Sequence, residues 1–265
     1  MVYYSCKVIE GGNPMACNIG FVARKGGVGK TTSCLAIGAG LAKREKKVLY
    51  VDLDSQVNLT ITMQAKTQGI NILGLLLKQV ENPMDAIQHT EMGDIIAATP
   101  ELNGIDAVVK GMGREYRLRE EMEPLQDKYD YILYDTPPAL ELPTVMALTC
   151  CNQIIVPVLP DLYSIEGIRQ LWDAVTNTRK YTNRNLQVAG FIVNHYNART
   201  NIGKMLRGDL ETMAAKLGTK VFRTEIRECT AIKEAQLMYQ SIYQYAPKAN
   251  AVADFDSIVD ELLEG

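Results

Sequence analysis

Hydrophobic positions along this chain fall into short continuous runs separated by longer stretches of helical periodicity. VLYV, YILY, IIVPV and GFIV are apolar at every position, as expected of strands buried on both faces of a parallel sheet. The pattern predicts strands at 18–23, 47–52, 94–98, 129–135, 153–158 and 188–194. Helices are expected at 31–44, 103–123, 141–151, 165–181 and 202–217, with a last one at 252–263. Strand and helix alternate throughout, which defines an α/β fold: a doubly wound, mostly parallel sheet with helices on both faces. Neither a repeat nor a linker interrupts the pattern, so residues 1–265 read as one domain. Residues 1–16, with Gly-Gly-Asn-Pro as a turn signal, form an irregular N-terminal extension with no room for a helix-turn-helix domain.

Composition narrows this picture only slightly. The chain is 47% hydrophobic and 22% charged with a formal charge of -3, so any nucleic-acid contact must come from a local patch. The six cysteines lack CxxC spacing, and together with the absence of a signal peptide they favour reduced thiols in a cytoplasmic protein. No apolar stretch approaches the roughly 18 residues a membrane span needs. His89 and His195 are unclustered and suggest no metal site.

The chemistry concentrates after the first strand. NIGFVA runs into RKGGVGKTT and then into the helical SCLAIGAGLAKR, the context a phosphate-binding loop requires. Gly26, Gly27, Val28 and Gly29 bring backbone N–H groups toward phosphates, and the helix that follows adds its positive end. Lys30 would neutralise phosphate oxygens of ATP, and the Thr31 hydroxyl would ligate Mg²⁺, with Thr32 beside it. Arg24 stands where the standard GxxxxGK[ST] pattern begins with glycine, and Lys25 follows it, which makes this a deviant Walker A loop. A lysine there can reach the nucleotide of a second subunit and supply charge in trans, as an arginine finger does. KVLYVDLDSQVN puts Asp52 and Asp54 at one strand end, and YILYDTPP puts Asp135 at another, all suited to a metal site.

KGGVGKTT, VDLDSQVNLT, YDYILYDTPPALELPTVMAL and PVLPDLYSIEGI resemble, in order and spacing, the ParA/Soj family of DNA-partitioning ATPases. The resemblance runs from about residue 15 to the C-terminus. It implies an ATP-dependent homodimer that binds double-stranded DNA without sequence preference, is nucleoid-associated when ATP is bound, and is stimulated by a ParB-like partner. Lys25, Lys30 and Asp54 match the catalytic positions, with Asp54 positioning the attacking water. Thr31, Asp52 and Asp135 match the Mg²⁺ positions, and Asn194 matches the residue that reads the adenine. Two departures stand out. The usual DPQGN is DSQVN here, placing Ser55 and Val57 at a proline and a glycine. The usual IPRNVRLSEAP is IRECTAIKEAQ, so the DNA-contacting arginine falls at Ala231.

Basic residues do gather in the last third, and Arg199, Lys204, Arg207, Arg227 and Lys233 are the candidates for DNA contact. Other members of the wider class are weaker fits. A MinD-like membrane-cycling ATPase needs a basic amphipathic C-terminal helix, whereas residues 252–264 carry acids and no Lys or Arg. A nitrogenase-iron-protein relative needs paired cysteines to hold a cluster. A ParA-like positioner of another cargo shares all these motifs.

Overall fold

The computed structural model describes residues 8–10, 13–196 and 201–264. Its strands are β1 (Val8–Glu10), β2 (Asn13–Met15), β3 (Cys17–Phe21), β4 (Val48–Asp52), β5 (Ile87–Thr90), β6 (Gly93–Ile96), β7 (Tyr131–Asp135), β8 (Gln153–Val158) and β9 (Gln187–Val193). The helices are α1 (Lys30–Lys43), α2 (Asn58–Thr62), α3 (Ile72–Leu76), α4 (Ile105–Val108), α5 (Arg117–Met122), α6 (Leu142–Cys150), α7 (Leu162–Tyr181), α8 (Asn201–Lys216), α9 (Thr230–Leu237), α10 (Ile242–Tyr245) and α11 (Asn250–Glu264).

Seven strands form one sheet in the order β5-β6-β4-β7-β3-β8-β9, and β5 alone among them runs antiparallel to its neighbour. The continuous apolar runs account for this. In β4, Leu49 and Val51 enter one core cluster while Val48 and Tyr50 enter the other; in β7, Ile132 and Tyr134 part from Leu133 in the same way. Each face of the sheet therefore needs its own layer of helices. Residues of α3, α5, α6, α7 and α8 cover one face. Residues of α1, α9, α10 and α11 cover the other.

All six expected strands are present, with no end shifted by more than two residues. Several features depart from the sequence pattern. The helix expected at 103–123 is broken into α4, a 3-10 turn and α5, because Gly111 and Gly113 adopt φ of 101° and 76° between them. The N-terminal extension is not irregular where it is described: β1 and β2 pair as an antiparallel ribbon, Val8 opposite Met15. Thiol chemistry also differs in part. Cys34, Cys150, Cys151 and Cys229 are free, but Cys17 is disulfide-bonded.

The acidic last helix packs as expected of a core-facing amphipathic element. Val252, Phe255, Ile258 and Val259 are buried in the α1 side of the core. On its outer face Asp256 accepts hydrogen bonds from Lys43 at 2.8 Å and Arg44 at 2.9 Å, tying α11 to the end of α1. Among the described residues no helix is long and apolar enough to cross a membrane.

Candidate functional site

The strand order places the carboxyl ends of β4, β7 and β3 side by side, and the site grows from them. Asp52 ends β4 and Asp135 ends β7, and the two are register partners; Phe21 of β3 is level with Asp135. The chain leaves β3, turns through 24–29 and enters α1. Gly29 opens that helix at φ 89°, where a β-carbon would also lie 2.6 Å from Asn194 Nδ2. Glycine is thus required twice, by backbone angle and by contact. Asn194, just beyond β9 and buried, donates to Val28 O at 2.7 Å and so holds the loop from the other side.

Most polar side chains at this junction are buried, and each makes at least one hydrogen bond. Thr31 Oγ1 donates to Asp135 Oδ2 at 2.6 Å. Asp52 accepts from Asp54 N at 3.0 Å, Thr60 N at 2.9 Å and Thr60 Oγ1 at 2.7 Å. Thr136 Oγ1 donates to Phe21 O at 2.8 Å, locking β7 to β3. Burial pushes the Asp52 carboxyl up to about 6, against the opposing pull of the Thr60 hydrogen bonds. Asp135 is raised well above the ordinary carboxylate range, first by burial and then by the charge of Asp52. Lys30 is lowered by burial, which Asp135 and Asp54 only partly offset. Buried charge of both signs held at one point is costly unless a ligand completes it.

A cavity of about 550 Å³ opens on this cluster. Its walls include Gly26, Gly27, Gly29, Lys30, Thr31, Thr32 and Asp54 from the loop and β4 side, and Asn194 with segment 226–236 from the β9 side. Gln236 Nε2 donates to Thr32 Oγ1 at 3.0 Å, which draws α9 against the start of α1. The cavity is of the size that takes a small-molecule ligand. Among the described residues no three His, Cys, Asp or Glu side chains are grouped to enclose a metal on their own. The donor set instead fits a hard cation completed by a ligand's oxygens: Thr31 supplies a hydroxyl, and the buried Asp135 Oδ1 has no hydrogen-bond partner among the described residues.

Lys25 lies at the mouth of the loop, paired with Asp161 Oδ2 at 2.5 Å. Asp161 caps α7 as well, accepting from Ser164 N at 2.8 Å. The expected DNA-contacting residues scatter. Arg199 lies outside the described residues. Lys204 is exposed on α8, and Arg207 of the same helix pairs with Glu211 and Glu225 of its own chain. Arg227 and Lys233 line the cavity instead, on the opposite face of the sheet from α8. Sequence reasoning missed Thr60, Thr136 and Gln236. Thr60 and Thr136 sit inside the quoted motifs VDLDSQVNLT and YILYDTPP, so a search for partners of buried aspartates would have found them.

A parallel α/β sheet with a glycine loop between strand and helix, facing strand-end aspartates, defines a P-loop ATPase. The family profile described as an AAA domain matches residues 16–188. The sporulation initiation inhibitor protein Soj of Bacillus subtilis is 32% identical over 92% of this chain and 97% of that protein. The chromosome partitioning protein ParA of Myxococcus xanthus is 30% identical over 91% of this chain and 86% of that protein. Among solved structures, cobyrinic acid a,c-diamide synthase of Mycobacterium smegmatis with bound ADP and magnesium is similar, with a TM-score of 0.82 and 26% identity over 94% of this chain and 95% of that one. The chain belongs to the ParA/Soj family of partitioning ATPases.

Proposed function

We propose that this chain is a Mg²⁺-dependent ATPase of low basal rate that dimerises on ATP, binds double-stranded DNA without sequence preference and segregates a plasmid, mobile element or chromosome. A ParB-like partner triggers hydrolysis, and residues 1–265 act as one domain in the cytoplasm, associated with the nucleoid while ATP is held. The observation that supports this most is the meeting of Lys30, Thr31 and Asp54 in one cavity beside the glycine loop, with the buried Asp135 hydrogen-bonded behind Thr31. Lys30 and the loop amides bind the phosphates, Asn194 faces the nucleoside, and Asp54 holds the attacking water. Thr31, with Asp52 and Asp135 behind it, would hold the Mg²⁺, which when bound neutralises charge developing on the phosphates. Lys25 leaves Asp161 and reaches the partner's nucleotide as the dimer closes.

The test uses two variants. Lys30→Ala abolishes ATP binding; undiminished affinity there refutes the phosphate site. Asp54→Ala holds ATP without cleaving it, elutes as an ATP-dependent dimer and binds a random duplex with an affinity that falls steeply with salt. A dimer that ignores DNA at low salt refutes the partition reading and leaves a positioner of some other cargo.

A further inference from the structure

The sheet order divides the cavity. Asp52 and Asp135 end β4 and β7 on one side of the β3 loop, and β9 ends on the other. With phosphates and metal at the first side, the rest of a nucleotide must extend toward β9. The chain after α8 returns beside that strand: Ile226 N donates to Val193 O at 2.8 Å, and Tyr196 N donates to Ile226 O at 3.0 Å. This pairing delivers Arg227 to the cavity wall next to Asn194, His195 and Ile226.

Arg227 is held there edge-on. Its Nε donates to Asp254 Oδ2 at 3.0 Å, and its Nη2 donates to Asp254 Oδ1 at 2.6 Å and to Asn250 O at 3.3 Å. Asp254 is 7% exposed and fixed on α11, while the Arg227 side chain is 50% exposed. The edge donors that a phosphate would need in a bidentate contact are therefore engaged by a carboxylate of the same chain. What remains available is Nη1, a single nitrogen, and the flat face of an oriented cation, and such a face stacks on aromatic rings. A flexible lysine would serve a purely electrostatic role as well; it could not serve this one. Position 227 is proline in the family's usual IPRNVRLSEAP pattern, so the platform belongs to this chain's own sequence.

We propose that Arg227 is a specificity-determining residue of the nucleotide site, its Asp254-clamped guanidinium forming the surface on which the base stacks. This rests on the cavity being the nucleotide site. The experiment is titration calorimetry with Mg²⁺ present, comparing ATP with inorganic triphosphate. Arg227→Ala weakens ATP binding roughly tenfold, the factor set by ~1.4 kcal/mol, and leaves triphosphate affinity within about twofold. Arg227→Lys fails to restore ATP affinity, because it returns the charge without the plane. Because Arg227→Ala strands the buried Asp254, the double variant Arg227→Ala with Asp254→Asn is measured beside it and shows the same selective loss. Unchanged ATP affinity, parallel loss of both ligands, or recovery by Arg227→Lys overturns the proposal. A wild-type protein that binds neither ligand overturns the nucleotide site itself.

Discussion

Val57 occupies a backbone conformation that its side chain disfavours, and substitution there separates two opposing terms. It stands where the family's usual pattern has glycine, at φ 53° and ψ 26°, immediately before α2. A β-branched residue in the left-handed region is strained by ~1–2 kcal/mol. Its side chain is nonetheless 7% exposed and packs in the core cluster with Leu53 and Ile72. Val57→Ala removes two buried methyl groups at ~0.8 kcal/mol each and keeps the strained β-carbon, so it should destabilise by ~1.5–2.5 kcal/mol. Val57→Gly loses the same methyl groups but releases the strain. Glycine is favoured over alanine at positive φ by somewhat more than ~0.4–1 kcal/mol, so the glycine variant should be the more stable of the two by about 1 kcal/mol. Urea unfolding without nucleotide reads this as a higher midpoint at constant slope, and thermal unfolding as a gap of about 2–4 °C. An alanine variant as stable as the glycine variant, or more so, refutes the strain assignment. The same turn carries Asp54, whose carbonyl accepts from Val57 N at 2.9 Å, so ATP turnover in both variants shows whether strain here reaches the site.

Two further outcomes follow from charges away from the cavity. Asp161→Asn keeps a cap for α7 but removes the charge that faces Lys25; both partners are about one-third exposed, so stability falls by under ~1 kcal/mol. If Asp161 restrains Lys25 within its own subunit, sizing chromatography shows the ATP-dependent dimer at lower protein concentration, and a weaker dimer rules that restraint out. Burial alone would raise the Asp256 carboxyl, but hydrogen bonds from Lys43 and Arg44 outweigh it and hold the group below its ordinary 3.8. A depressed carboxylate stabilises the fold above its unfolded value and loses that contribution as pH falls through the folded value, so the link between α1 and α11 weakens on acidification below about pH 4. Thermal unfolding at about pH 5 and about pH 3 should show a smaller acid loss in Asp256→Asn than in the wild type; equal losses refute it.

The strands were legible because burial on both faces leaves few polar positions to confuse the period, and the loop was legible because phosphate binding constrains consecutive residues. Strand β5 was not, since Ile87–Thr90 lies at the sheet edge and reads as a polar loop. Periodicity also ran straight through Gly111 and Gly113, which local angles, not hydrophobicity, turn into a break. At the site, Asp52, Asp54 and Asp135 could be placed because parallel strands bring their carboxyl ends together. Arg227 could not. It reads as one more basic residue near the C-terminus until the pairing of 226–227 with the end of β9 puts it on the cavity wall.

That pairing has a consequence for how the protein can be altered. Beyond β9 the sheet would end in unpaired backbone groups, a template for association with other chains. Phe222 N donating to Phe191 O at 3.0 Å and Ile226 N donating to Val193 O seal that border. The segment that borders the ligand is thus also the hem of the sheet. Grafting it wholesale from a relative to change nucleotide preference would risk unsealing the border and inviting aggregation. Single substitutions at Arg227 leave the backbone seam closed, and they are the route by which this site can be retuned with the sheet border intact.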